Sequence, residues 1–131
     1  PYMVAILVAV GMFRASGAMG LLTGGIGAWT GPLGLPGDAI PMALVRPLSG
    51  SGAFAVMSEV LHTHGPDTYI GYLVSVLNGS TETTFYVMAV YFGAVGVSRA
   101  RHAVAAGLTA DLTGVIATVL VCRVLFGHLM L

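Results

Sequence analysis

The chain has 131 residues, five acids and five arginines, no lysine and zero net charge, so it lacks the basic face that nucleic-acid binding needs. Hydrophobic residues make up 56% and charged residues 8%, against about 25% charged in an ordinary soluble domain, and mean hydropathy is +0.93. So few charges cannot keep a domain's surface in water, and lipid is the expected solvent.

The chain opens Pro1-Tyr2-Met3, with no initiator methionine and no basic signal-peptide start, so further residues are expected before Pro1. The first apolar run, Tyr2 to Leu22, reaches the length of about 20 residues that crosses a bilayer. Arg14 inside it has to face protein or water, or snorkel to a membrane face. From Gly24 to Pro41 glycine and proline are dense, which predicts a loop at one membrane face, with Trp29 suited to the interface. The pairs Gly20/Gly24 and Gly27/Gly31 have the spacing of close helix packing, but among 19 glycines such pairs arise by chance.

Met42–Val45 and Ala53–Leu61 are apolar arms too short to span alone, separated by Arg46-Pro47-Leu48-Ser49-Gly50-Ser51-Gly52. This is the pattern of a re-entrant hairpin or a discontinuous helix. Glu59, His62, His64 and Asp67 follow and predict an end that meets water. Two histidines without a third ligand do not make a zinc site, so both read as solvated loop residues and no metal or other cofactor is expected. The pattern then recurs, with arms Tyr69–Leu77 and Phe85–Val97 around the polar break Asn78–Thr84. Ser98-Arg99-Ala100-Arg101-His102 is the most basic loop and is cytoplasmic by the positive-inside rule. The last run, Ala103–Leu131, is long enough to span with tilt, interrupted by Asp111 and Arg123. Cys122, the single cysteine, excludes an intrachain disulfide and reads as a buried small hydrophobe. The fold class is therefore all-α: a polytopic integral membrane protein with broken helices and a re-entrant hairpin, in one domain over residues 1–131.

Polar backbone in hydrocarbon survives only against protein or a water-filled cavity, because each unsatisfied group costs several kcal/mol there. The two breaks are thus the candidate solute or ion site, with Arg46, Ser49, Gly50 and Ser51 from the first and Asn78, Gly79, Ser80, Thr81, Glu82 and Thr83 from the second. A helix starting near Thr83 would offer free N–H groups and its positive end to an anion or polar solute, capped by Ser80 or Thr81. Glu82 reads either as part of that cap or as a solute, cation or proton ligand. Arg46 reads either as an interfacial snorkel or as the partner of Glu82 or Asp111. Asp111, inside the last span, reads either as an interhelical hydrogen-bonding group or as part of a path.

The runs Arg46–Ala53, Gly65-Pro66-Asp67-Thr68 and Gly79–Tyr86, with Phe13–Ala18 and Ala89–Gly93 around them, resemble the spore maturation protein B family of gate (nucleoside recognition) proteins. The resemblance covers nearly the whole chain and implies that the family's N-terminal part lies before Pro1. It further implies a gate domain like that of concentrative nucleoside transporters and of the membrane part of ferrous-iron transporters. The implied setting is the bacterial inner membrane, multi-pass, in lipid, beside a spore maturation protein A-like subunit or as a homo-oligomer.

Two functions compete. A transporter or channel-like subunit predicts that the two breaks meet around a polar cavity. A structural or regulatory subunit that moves nothing predicts breaks packed together, with Arg46 and Glu82 satisfied internally. An intramembrane enzyme is not expected, because no nucleophile–base pair, G-x-S-x-G, Walker A or dinucleotide motif stands in a sensible context.

Overall fold

The computed structural model describes residues 2–130, and every regular element among them is helical. In chain order these are α1 (Tyr2–Ala15), α2 (Ala18–Thr30), α3 (Ile40–Val45), α4 (Gly50–His64), α5 (Tyr69–Ser80), α6 (Thr84–Val87) and α7 (Ala103–Phe126). The first apolar run is not one straight span. Gly17 sits at φ +81°, a conformation glycine enters without strain, and the chain bends by 79° between α1 and α2. Arg14 of α1 pairs with Glu59 of α4 at 3.2 Å, the protein-facing solution for a charge in an apolar helix.

The predicted loop Gly24–Pro41 is shorter than expected. Helix α2 runs on through Gly24, Gly25 and Gly27 to Thr30. The true connection holds two 3₁₀ turns, Gly31–Leu33 and Gly37–Ala39. Packing overrides the helix-breaking tendency here, because the second turn folds back onto α2. A Cβ on Gly27 would lie 3.2 Å from the Gly37 Cα. Of the small-residue pairs noted above, only Gly27 makes such a contact; Gly20, Gly24 and Gly31 face open space.

The core lies among α3, α4, α5 and α7, where Met42, Val60, Leu73, Val74, Leu77 and Cys122 are all but inaccessible. Cys122 is thus the buried small hydrophobe its sequence context suggested. Helices α4 and α5 join through a turn built on Gly65 at φ +87°. The Thr68 hydroxyl donates to the Gly65 carbonyl and accepts from the Gly71 N–H, starting α5. His62 and His64 belong to the last turn of α4 rather than to a loop, and His64 lies 3.2 Å from Asp38.

Outside this core the surface is apolar: Leu21, Trp29 and Val124 are each more than 80% exposed. Exposed apolar area on that scale marks a surface made for lipid or another protein. Among the described residues one helix, Ala103–Leu129, is long and apolar enough to cross a membrane by itself, and the bent α1–α2 pair passes the same test jointly. The arm predicted over Phe85–Val97 ends sooner. Helix α6 widens into a π-helical stretch at Met88–Phe92, and Gly96 at φ +70° turns the chain.

A polar junction between two broken helices

Both breaks exist, and each is displaced from the predicted residues. Pro47 has no N–H to continue the α3 ladder, so the chain turns at Arg46–Leu48. Ser49 then adopts extended backbone and starts α4 at once: its Oγ accepts from the Gly52 N–H at 3.1 Å and its carbonyl from the Ala53 N–H at 3.0 Å. Gly50, Ser51 and Gly52 are therefore helical, not part of the break. In the second segment Asn78, Gly79 and Ser80 form the last turn of α5, and the break is Thr81–Thr83. Neither Ser80 nor Thr81 caps the following helix. Thr81 donates to the Leu77 carbonyl at 3.1 Å, Ser80 pairs with Thr118 at 2.8 Å, and Thr83 holds the N-cap position without a side-chain bond.

The breaks meet through Arg46. The residue is 8% exposed, and its Nη2 donates to the Asn78 carbonyl at 2.7 Å and to the Thr81 carbonyl. A cation against the C-terminal carbonyls of α5 satisfies acceptors that the helix leaves open and complements its dipole. The expected partners are not the ones used: Arg46 pairs with neither Glu82 nor Asp111. The Phe85 N–H donates to the Pro47 carbonyl at 3.2 Å, a second tie between the breaks. Arg46 Nε is buried without a partner.

Helix α7 closes the far side with Gly107, Asp111, Gly114 and Thr118, which share one face by their spacing of four, three and four. Cβ atoms on Gly107 and Gly114 would lie 2.5 Å from Thr84 Cγ2 and 2.7 Å from Thr81 Cγ2, so glycine is what admits the second break to α7. The Thr84 hydroxyl donates to Asp111 Oδ2, which gives the half-buried carboxylate its interhelical bond. Sequence reasoning missed Gly107, Gly114 and Thr118. The signal was there, as a small and polar stripe along an otherwise apolar span.

On the near side the junction opens into a cleft of about 310 Å³ lined by Leu48, Ser49, Gly50, Ser51, Thr83 and Tyr86. Of the expected site residues, Ser49, Gly50, Ser51 and Thr83 thus line one cavity, with Arg46 beside Gly50. Ser80 and Thr81 meet α7 at Thr118 and Gly114, the Asn78 carbonyl meets Arg46, and Asp111 of α7 meets Thr84 of α6. Gly79 and Glu82 are exposed and outside the cleft lining. A larger cavity of about 400 Å³ is lined by apolar residues such as Phe13, Met19, Leu22 and Val56, and offers no polar chemistry.

The family model described as Gate, nucleoside recognition, matches residues 1–98. Spore maturation protein B of Bacillus subtilis (strain 168) is 43% identical over 127 residues, which is 97% of this chain and 71% of that protein. No solved structure matches the chain.

Proposed function

The chain belongs to the Gate nucleoside-recognition family and is a homologue of spore maturation protein B, and from that premise we propose that it is a transporter-like membrane subunit that recognises a small polar solute at the junction of its two broken helices. The supporting observation is the open polar cleft at the meeting of the breaks, with hydroxyls, a helix start and a buried guanidinium together in an otherwise apolar chain. We place it as a multi-pass protein of the bacterial inner membrane, with the Ser98–His102 loop cytoplasmic, a binding rather than catalytic role, and a spore maturation protein A-like subunit or a second copy as partner.

A structural role draws on a different observation. Both Arg46 side-chain hydrogen bonds go to backbone carbonyls, those of Asn78 and Thr81, as in a junction that only holds helices together. The two readings separate in a thermal-shift screen of the lipid-reconstituted protein against nucleosides, small carboxylates and inorganic phosphate. A stabilising ligand whose effect is lost in Gly50→Val supports solute recognition. Indifference to every ligand, with cleft cysteines unreactive toward water-borne reagents, supports the structural subunit.

A further inference from the structure

We infer that the cleft between α4 and α6 binds a small organic anion of single negative charge, a carboxylate with an apolar body. The inference rests on the solute-recognition reading above and names the class of solute.

Two independent features point the same way. The first is the start of α4, a helix of 15 residues whose first members Gly50 and Ser51 line the cleft. Gly52 and Ala53 have their N–H groups taken by Ser49, whereas those of Gly50 and Ser51 have no partner among the described residues. Free N–H groups and the positive end of the dipole favour an anion there.

The second is Arg46. Of its nitrogens only Nη2 is engaged; Nε is buried and unmatched, and Nη1 makes no hydrogen bond among the described residues. Nη1 lies 3.7 Å from where a Cβ on Gly50 would stand. Gly50 lines the cleft and has no side chain to screen Nη1 from it. A buried cation with unused donors is unfavourable, and a carboxylate supplies both charge and acceptors.

The remaining walls set the class. No carboxylate lines the cleft, and the hydroxyls of Ser49, Ser51, Thr83 and Tyr86 donate readily to an anion. One guanidinium, shared with two carbonyls, and about half a charge from the helix balance one negative charge better than two. Leu48 and Tyr86 offer an apolar and an aromatic wall, which fits an organic carboxylate better than inorganic phosphate.

The test uses the full chain with Cys122→Ala and Ser51→Cys in lipid nanodiscs. It is labelled with sulfonate-bearing and trimethylammonium-bearing methanethiosulfonates of matched size. The sulfonate reagent is expected to react about tenfold faster, because the local potential concentrates anions. Millimolar sodium benzoate should slow the labelling, phosphate should slow it less, and uridine should not. Adding Gly50→Ala places a methyl group 3.7 Å from Nη1 and 3.4 Å from Thr83 Cγ2, both ordinary contacts, so the fold stays intact. It should weaken benzoate protection about tenfold with an unchanged thermal midpoint, a loss read from the blocked Arg46 donor. Equal reagent rates with protection by uridine alone would overturn the anion and leave the solute cleft standing. Benzoate protection undiminished in Gly50→Ala would remove Arg46 from the site. A cysteine that neither reagent reaches would overturn the cleft reading itself.

Discussion

The two breaks look alike as sequence, short polar interruptions between apolar arms, yet they are built in opposite ways. The Arg46–Ser49 break is a donor. It carries a buried guanidinium and restarts its helix at once through the Ser49 cap. The Thr81–Thr83 break is an acceptor. With the last turn of α5 it presents the Asn78 and Thr81 carbonyls to Arg46, and it enters α6 without a side-chain cap. A helix end is half a hydrogen-bonding system, and each break supplies what the other lacks. The junction therefore has a direction, with the first break holding the second.

If that is so, the largest effect belongs to Arg46→Met. It strands the Asn78 and Thr81 carbonyls in an apolar setting and should destabilise by roughly 3–5 kcal/mol in chemical unfolding from detergent micelles. A loss below about 1 kcal/mol would mean that the junction is held by packing alone. Next come the glycines that seat the second break. Gly107→Ala should cost about 1–3 kcal/mol through its clash with Thr84 Cγ2. Thr84→Ser should recover most of that loss, since it removes the methyl group and keeps the hydroxyl for Asp111. Failure of the rescue would place the strain elsewhere.

A smaller effect separates the two helix starts. Ser49→Ala should cost about 1 kcal/mol, as a lost N-cap does. Thr83→Val, at a cap position without a side-chain bond, should change stability by less than about 0.5 kcal/mol while altering whatever the cleft binds. Equal losses at both positions would erase the contrast between the breaks. The smallest effect is at Glu82. Exposed and not paired with Arg46, it should change stability by less than about 0.5 kcal/mol as Glu82→Gln. That change should be additive with Arg46→Met, because groups that share no partner do not couple. Coupling above about 1 kcal/mol would restore an Arg46–Glu82 pair.

Much of this was legible in residue types. Arg46, Ser49, Ser51 and Thr83 stand out because hydroxyls and charge are conspicuous in a chain with 8% charged residues. Their convergence on one cleft follows from the same scarcity, since polar groups in an apolar chain must find one another or water. Break boundaries were not legible to the residue. Ser49 and Thr81 each decide helix or loop through one local hydrogen bond, and glycines at 24, 25 and 27 stayed helical because Gly37 packs on α2. Glu82 drew attention as an acid in an apolar region, but its placement depends on which way the Thr81–Thr83 backbone turns.

By itself, the sequence determined the apolar character, the helical class and the presence of two polar interruptions, because composition, hydrophobic run length and helix breakers act locally. Only the tertiary structure decided which helix end Arg46 reaches and which face of α7 receives the second break. Every helix ends in open carbonyls, so a guanidinium has many chemically equivalent partners along the chain. Chain geometry alone selected Asn78 and Thr81 over Glu82 and Asp111. In the same way Gly107 and Gly114 are two glycines among 19 until Thr84 and Thr81 are laid against them. A missing side chain acquires meaning only from the atom that occupies its place.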